Sequence, residues 1–217
     1  MRFEEWEPIY QEILDDFGFG RERDEEAACL LSALLAGRQT QEVLLRSRLE
    51  GRSATIFGNA PSLPGELQAL IEGRDLDGRA LVAADGAAAV LLDRGLIPDA
   101  IVTDLDGDVP AIIAACQRGA VVVVHAHGDN MDRLREFLPR LPLVVGTAQS
   151  APVPPLHNFG GFTDGDRCVF MALAMGCRDI RLVGFDLDDP SVTPRKKKKL
   201  DWARRLIARA GLSSDGP

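Results

Sequence analysis

The stretch of sequence that decides the fold is AIVTDLDGD, residues 100–108, in which a short apolar run leads directly into a cluster of acids. A strand that is apolar along its whole length is typical of a parallel sheet with helices on both faces. Similar apolar runs recur on either side of this stretch, and helix-like stretches separate them. The sequence therefore predicts an α/β fold.

Six runs predict the strands of this sheet: residues 54–57, 80–84, 100–103, 120–124, 143–145 and 180–183. Helical patterns lie between the strands at residues 87–94, 110–118, 129–138 and 166–175, and a last helix is predicted at 195–210. This alternation predicts a Rossmann-like, mostly parallel sheet covered by helices on both faces, in an α/β catalytic domain of residues 51–212.

Residues 1–50 are predicted to form an N-terminal helical segment. Apolar residues recur at three- and four-residue spacing between Phe3 and Phe17, which predicts a helix that ends at Gly18. Asp24 is placed to cap a second helix, and a third is expected at residues 40–49. We expect this segment to pack as a helical cap without chemistry of its own, and the tail at 213–217 to be disordered.

Composition excludes several classes of protein. The 217 residues carry a net charge of −8, which argues against a nucleic-acid partner because that role favours a broad basic face. The first ten residues lack the pattern of a signal peptide, and there is no apolar run long enough to span a membrane. A soluble cytoplasmic protein with no membrane partner is therefore expected, and whether it forms a homo-oligomer stays open.

The lysines and cysteines narrow the chemistry further. All four lysines lie in one run, Lys196 to Lys199, so the chain lacks a phosphate-binding loop of the Walker type. On a helix, Lys196 and Lys199 share a face and are candidates for contacts with a polyphosphate, although a solvated face is the commoner fate of such a run. The four cysteines are widely spaced and are expected to be reduced and buried.

Gly, Asp, His or Asn follows five of the six predicted strands. Parallel strands bring their carboxyl ends to one edge of the sheet, where open α/β sheets bind their ligands. One such end would mean little, because glycine and aspartate are ordinary turn residues. Five ends together predict a binding site, which draws on residues 58–63, 85–87, 104–108, 125–130 and 184–186.

The acids after the third strand are the sharpest element of this site. Asp104 and Asp106 alternate along an extended backbone and are expected to point the same way, with Asp85 on the neighbouring strand end. Clustered carboxylates suit Mg²⁺, which takes carboxylate and phosphate oxygens. The spacing of these acids does not fit a calcium-binding EF-hand. The alternative to a metal site is an acidic turn that caps the next helix.

Other strand ends offer weaker candidates, each with a structural alternative. The turn from Gly58 to Ser62 is suited to phosphate, or it is a plain turn in which Ser62 caps a helix. His125 and His127 are candidates for substrate contact or acid–base work. The long segment of residues 151–167 includes Phe162, which is placed either to face a flat heterocycle or to anchor the loop.

With these residues in view, the chain resembles the archaeal 6-hydroxymethyl-7,8-dihydropterin diphosphokinase family, the MptE-like group. The resemblance covers most of the chain. It rests on the turn at 58–63, the Asp85-Gly86-Ala87 stretch, Pro98-Asp99 followed by 103–108, the stretches at 125–130 and 160–167, and Gly184-Phe185-Asp186 with the basic helix after it.

The resemblance implies Mg²⁺- and ATP-dependent transfer of diphosphate to a reduced pterin alcohol, with release of AMP, in the biosynthesis of methanopterin or folate. The residues assigned to catalysis are Asp85, Asp104, Asp106 and Arg167, and the metal candidates are Asp85, Asp104, Asp106 and Asp108. The candidates for binding ATP or the pterin are Gly58, Asn59, Pro61, Ser62, Gly86, His125, His127, Asn130, Phe162, Thr163, Asp164, Asp186 and Lys196.

Three other functions stay open from the sequence. The middle of the chain is also similar to thiamine pyrophosphokinase, but Thr103 and Gly107 stand where that family has Gly and Ser, which weighs against thiamine. A sugar-nucleotide transferase on the same scaffold is the second alternative, and release of AMP would argue against it. The third is a nucleotide sensor that binds ATP without turnover.

Overall fold

The computed structural model describes residues 1–151 and 153–212. Its centre is a six-stranded sheet in the order β5-β4-β3-β2-β1-β6, and every neighbouring pair of strands is parallel. The strands are β1 (Ser53–Phe57), β2 (Ala80–Ala84), β3 (Ala100–Thr103), β4 (Val121–Ala126), β5 (Val144–Ala148) and β6 (Asp179–Val183). The predicted α/β architecture is confirmed.

Helices surround the sheet and alternate with its strands. They are α1 (Phe3–Phe17), α2 (Glu22–Leu35), α3 (Glu42–Leu49), α4 (Leu63–Gly73), α5 (Ala87–Asp93), α6 (Val109–Gln117), α7 (Met131–Phe137), α8 (Asp164–Ala174) and α9 (Pro194–Arg209). A short 3₁₀ turn, Leu138–Arg140, follows α7. None of the helices in the described part of the chain combines the length and the apolar character that a membrane crossing requires.

Each face of the sheet carries its own apolar core. Buried residues of α2 and α4 to α7 pack on one face, and those of α3, α8 and α9 pack on the other. A third cluster joins α1 to α8 and α9 through Trp6, Tyr10, Phe170 and Trp202. Because both faces are covered, the central strands are apolar along their whole length, as the sequence predicted.

The sheet has a switch point between β1 and β6. The chain steps across the sheet from β1 to β5 and then returns to the other side of β1, so the connections on the two sides of this point run in opposite directions. Gly58 and Gly184, which follow these two strands, lie in contact. A Cβ on Gly58 would lie 2.6 Å from the carbonyl oxygen of Gly184, and Gly184 has a φ of +68°. Glycine at both positions lets the two strand ends form one edge of a crevice.

Several details of the sequence prediction are wrong. Strand β4 extends to Ala126, so His125 lies within the strand and not after it. Helix α2 begins at Glu22, which places Asp24 inside its first turn instead of at its cap. Cys29 is exposed, whereas the other three cysteines are buried. The boundaries of α3, α7 and α8 differ from the prediction by two residues, and the tail at 213–217 lies outside the described residues.

Candidate active site

A cleft of about 900 Å³ lies along the carboxyl ends of the strands. All the predicted site residues line it except Ser62 and Asp108. The predicted residues it brings together are Gly58, Asn59, Pro61, Asp85, Gly86, Asp104, Asp106, His125, His127, Asn130, Phe162, Thr163, Asp164, Arg167, Asp186 and Lys196. The convergence predicted from five strand ends therefore corresponds to one continuous crevice.

A left-handed turn at Leu105 directs its two neighbouring acids into the cleft. Leu105 has a φ of +66° and is fully buried in the apolar core, while Asp104 and Asp106 face the cleft. The Thr103 hydroxyl accepts a hydrogen bond from the Leu105 amide at 2.8 Å and donates one to Asp85 Oδ1 at 2.6 Å. Burial of one leucine thus stabilises a backbone conformation that a non-glycine residue rarely adopts.

Asp85 completes the acidic cluster from the end of β2. Gly107 passes so close to Asp85 that a Cβ at position 107 would clash with the Asp85 carboxylate unless that side chain moved. Glycine at position 107 therefore leaves the Asp85 carboxylate where it is, at one of the two departures from the thiamine-type sequence pattern. One carboxylate oxygen from each of Asp85, Asp104 and Asp106 lies within 4.8 Å of the others.

The three carboxylates perturb one another's ionisation. Burial raises the pKa of Asp85. Burial and the neighbouring Asp104 raise the pKa of Asp106 to about 6. For Asp104, the effect of burial is outweighed by hydrogen bonds from His127 and Asp106, which lower its pKa to about 2. A divalent cation fits this donor set, because it would offset the repulsion among three oxygen ligands that face the cleft.

The other predicted metal candidate, Asp108, has a different role in the described structure. Its Oδ1 accepts a hydrogen bond from the Ala111 amide at 3.0 Å and so caps helix α6. It lies outside the group of three acids and does not line the cleft. Ser62 stands at the start of α4, but its side chain makes no capping hydrogen bond.

His127 and Asn130 support Asp104. The Nε2 atom of His127 lies 3.0 Å from Asp104 Oδ2, and its Nδ1 accepts a hydrogen bond from the Asp129 amide, so Nε2 carries the proton. The Asn130 side chain donates to the carbonyl oxygens of Asp104 and His125 at 2.8 and 2.7 Å. Asn130 therefore joins the loops after β3 and β4, and its side chain makes no capping hydrogen bond to α7.

Arg167 is a buried cation at the wall of the cleft. It donates to His125 Nε2 at 2.9 Å, to Gln149 Oε1 at 2.9 Å and to the carbonyl oxygen of Phe162 at 2.8 Å. Burial and the charge of Arg167 hold the pKa of His125 well below its usual range, so this imidazole is neutral and accepts the hydrogen bond. Two of the five guanidinium N–H groups have no partner among the described residues and remain for a ligand.

The start of helix α8 supplies a further part of the wall. Thr163 and Asp166 form a capping box, in which Asp166 Oδ1 accepts from the Thr163 amide at 2.6 Å. Asp166 is thus used to cap the helix. Asp164 faces the cleft, and burial with the nearby charge of Asp104 raises its pKa well above the usual range.

The lysine run divides between the cleft and the outer surface. Lys196 and Lys199, which were predicted to share one helix face, both line the cleft. Lys197 instead pairs with Asp201 at 3.0 Å, and Lys198 pairs with Asp16 at 2.7 Å. The ammonium of Lys199 lies 5.9 Å from the centre of the Phe162 ring, and no partner is found for the Lys196 side chain among the described residues.

Sequence reasoning missed the cleft residues that come from the N-terminal helices and from α7. The turn between α1 and α2 contributes Phe19, and the first turn of α2 contributes Arg23 and Asp24, although the N-terminal segment was expected to carry no chemistry. Arg133 from α7 also lines the cleft. Neither Phe19 nor Arg23 belongs to a recognisable motif. A helical pattern in the sequence predicts the helices, but it does not show that the turn between α1 and α2 lies at the cleft.

Comparison with known proteins identifies the family. Residues 30–191 match the family model described as 6-hydroxymethylpterin diphosphokinase MptE-like. The chain is 44% identical to a protein of Methanothermobacter thermautotrophicus named 6-hydroxymethyl-7,8-dihydropterin pyrophosphokinase, over 95% of this chain and 94% of that protein. A protein of the same name from Pyrococcus furiosus is 41% identical, over 95% of this chain and 93% of the relative.

Among solved structures, the chain is similar to the MAf glycosyltransferase of Magnetospirillum magneticum AMB-1, with 18% identity and a TM-score of 0.49. That match covers 84% of this chain and 35% of the other. The sequence relatives, by contrast, match over nearly their whole lengths and at high identity. The chain therefore belongs to the 6-hydroxymethylpterin diphosphokinase MptE-like family.

Proposed function

We propose that this chain transfers a diphosphoryl group from ATP to the hydroxymethyl oxygen of 6-hydroxymethyl-7,8-dihydropterin and releases AMP. The name shared by the curated relatives supports the reaction and the pterin substrate. The single observation in the structure that carries the proposal is the pairing of opposite charges in one cleft. Three clustered carboxylates lie at the strand ends, and the lysine face of α9 lines the same cleft.

The acidic cluster is proposed to hold Mg²⁺ through Asp104, Asp106 and Asp85. When bound, this ion would supply positive charge that offsets the negative charge of the nucleotide phosphates. His127 and Thr103 hold Asp104 and Asp85 in place through hydrogen bonds at 3.0 and 2.6 Å. The carboxylates are therefore oriented before ligands bind.

The reaction forms one bond and breaks another at the β-phosphorus of ATP. The hydroxymethyl oxygen bonds to this phosphorus, the bond to the oxygen that bridges the α- and β-phosphates breaks, and AMP leaves with that electron pair. The hydroxyl proton is released to water. Such a transfer depends on positioning and on electrostatic stabilisation of the phosphoryl oxygens more than on covalent chemistry.

The cationic residues of the cleft are proposed to contact the phosphate oxygens. Arg167 has two N–H groups without partners among the described residues, and Lys196 extends into the cleft from α9. Arg23, in the first turn of α2, also lines the cleft. Its side chain makes no hydrogen bond in the described part of the chain, so it is a further candidate. The ring of Phe162 is proposed to face the flat pterin.

The proposal is tested by offering two acceptors to the purified protein. It is incubated with ATP and Mg²⁺ and with either 6-hydroxymethyl-7,8-dihydropterin or thiamine, and AMP and the diphosphorylated product are quantified by mass spectrometry. We expect equal amounts of AMP and pterin diphosphate, and no thiamine diphosphate. No product from the pterin, or a faster reaction with thiamine, would contradict the proposal.

A further inference from the structure

A buried chain of hydrogen bonds connects the N-terminal helices to Arg167. Asp24 of α2 is only 7% exposed, and its Oδ2 accepts from the Tyr10 hydroxyl at 2.7 Å and from Gln149 Nε2 at 2.6 Å. Gln149 Oε1 in turn accepts from Arg167 at 2.9 Å. The other oxygen of Asp24 accepts from the Gly128 amide at 2.9 Å, in the loop that carries His127.

The carboxylate of Asp24 sets the orientation of the Gln149 amide. An ionised carboxylate only accepts hydrogen bonds, so Gln149 must present its NH₂ group to Asp24 and its oxygen to Arg167. The backbone carbonyl of Gln149 is fixed as well, because it accepts from Trp6 Nε1 at 2.8 Å. Gln149 therefore presents its side-chain oxygen to Arg167 only while the side chain at position 24 accepts a hydrogen bond from the Gln149 NH₂ group.

We propose that Asp24 is a positioning residue that acts through Gln149 to hold the guanidinium of Arg167 in the cleft. This inference rests on the proposed function, in which Arg167 contacts the phosphates of ATP. The family model begins at residue 30 and does not cover Asp24. Helices α1 and α2 thus help to position a residue of the site, although their residues form no recognisable motif.

The hydrogen-bonded residues Asp24, Gln149 and Arg167, called the relay below, predict the effect of Asp24→Asn. An asparagine must place an NH₂ group against one of the donors that Asp24 accepts from. In one orientation, the asparagine NH₂ group faces the Gly128 amide, and two donors oppose each other. In the other orientation, it faces Gln149, whose side-chain amide must then rotate and present its own NH₂ group to Arg167. We expect kcat/KM for ATP to fall by about tenfold or more. We expect the affinity for α,β-methylene-ATP with Mg²⁺, measured by calorimetry, to fall with it.

A second substitution is expected to restore the relay. In Asp24→Asn/Gln149→Glu the carboxylate moves to position 149, where it accepts from the new NH₂ group at 24 and from Arg167 alike. The double variant keeps the net charge of the natural chain. We expect its kcat/KM and its nucleotide affinity to return to within about threefold of the unmodified protein.

Asp16→Asn provides the matched control in the same helical segment. Asp16 binds Lys198 and the Trp202 indole at 2.7 Å each, so its replacement loosens α1 without touching the relay. We expect it to lower the urea midpoint and to leave kcat/KM within about twofold.

The inference is overturned if Asp24→Asn retains full activity, if Gln149→Glu restores nothing to it, or if Asp16→Asn loses as much activity. Turnover by the unmodified protein tests the proposed function separately. The nucleotide affinities test the relay even if the pterin is not the acceptor.

Discussion

At the scale of single residues, Asp104 and Asp108 show that a proposed metal ligand and a helix cap can lie only four positions apart in the sequence. Asp104 faces the cleft, where His127 holds it, whereas Asp108 is bound to the first turn of α6. Sequence reasoning grouped the two because both follow β3. It also placed Asp104 and Asp106 on one side by assuming extended backbone, but a left-handed Leu105 produces that result. A conformation stabilised by tertiary burial is not visible in a local pattern.

These two residues give a matched pair of substitutions. Asp104→Asn removes a charge from the proposed Mg²⁺ site, so we expect turnover to fall by at least about a hundredfold at limiting Mg²⁺. Asp108→Asn should stay within about threefold of the natural protein, because asparagine caps helices as well as aspartate does. Steady-state AMP release across a Mg²⁺ titration measures both. Equal losses in the two variants would show that Asp108 is a ligand and that the assignment from the structure is mistaken.

At the scale of elements, helix α9 carries two kinds of lysine on two faces. Lys196 and Lys199 face the cleft, while Lys197 and Lys198 form ion pairs with acids of α9 itself and of α1. The helical period was enough to separate these pairs from the sequence. It was not enough to show which pair meets the site, because that depends on how α9 packs against α1 and α8.

The two faces predict opposite outcomes for paired substitutions. Replacing Lys196 and Lys199 by alanine should raise KM for ATP by about tenfold, since two cations near the phosphates are lost. Replacing Lys197 and Lys198 should leave KM unchanged and lower the urea midpoint only slightly, because exposed ion pairs are weak. Kinetics and urea denaturation distinguish the pairs. A larger KM effect from the Lys197 and Lys198 substitutions would argue against the proposed phosphate face.

At the scale of the whole molecule, the order of short apolar strands and helices was sufficient to predict the parallel sheet and the edge at which the site lies. The strand ends of β1 to β4 and β6 supply about half of the residues that line the cleft. What the sequence did not reveal is the contribution of the N-terminal helices, which bring Phe19, Arg23 and Asp24 to the cleft from more than thirty residues before the first strand end. From the sequence, Asp24 was expected to cap a helix. Only its buried contacts with Tyr10 and Gln149 lead to the proposal that it acts on the site.

The proposed reaction moves two phosphoryl groups as one unit from ATP to a pterin. It can be followed with ATP labelled with ¹⁸O on the non-bridging oxygens of its β- and γ-phosphates, with mass spectrometry of both products. We expect unlabelled AMP and a pterin diphosphate that carries the label of both phosphates. Formation of ADP with a pterin monophosphate, or of labelled inorganic diphosphate with no pterin product, would contradict it.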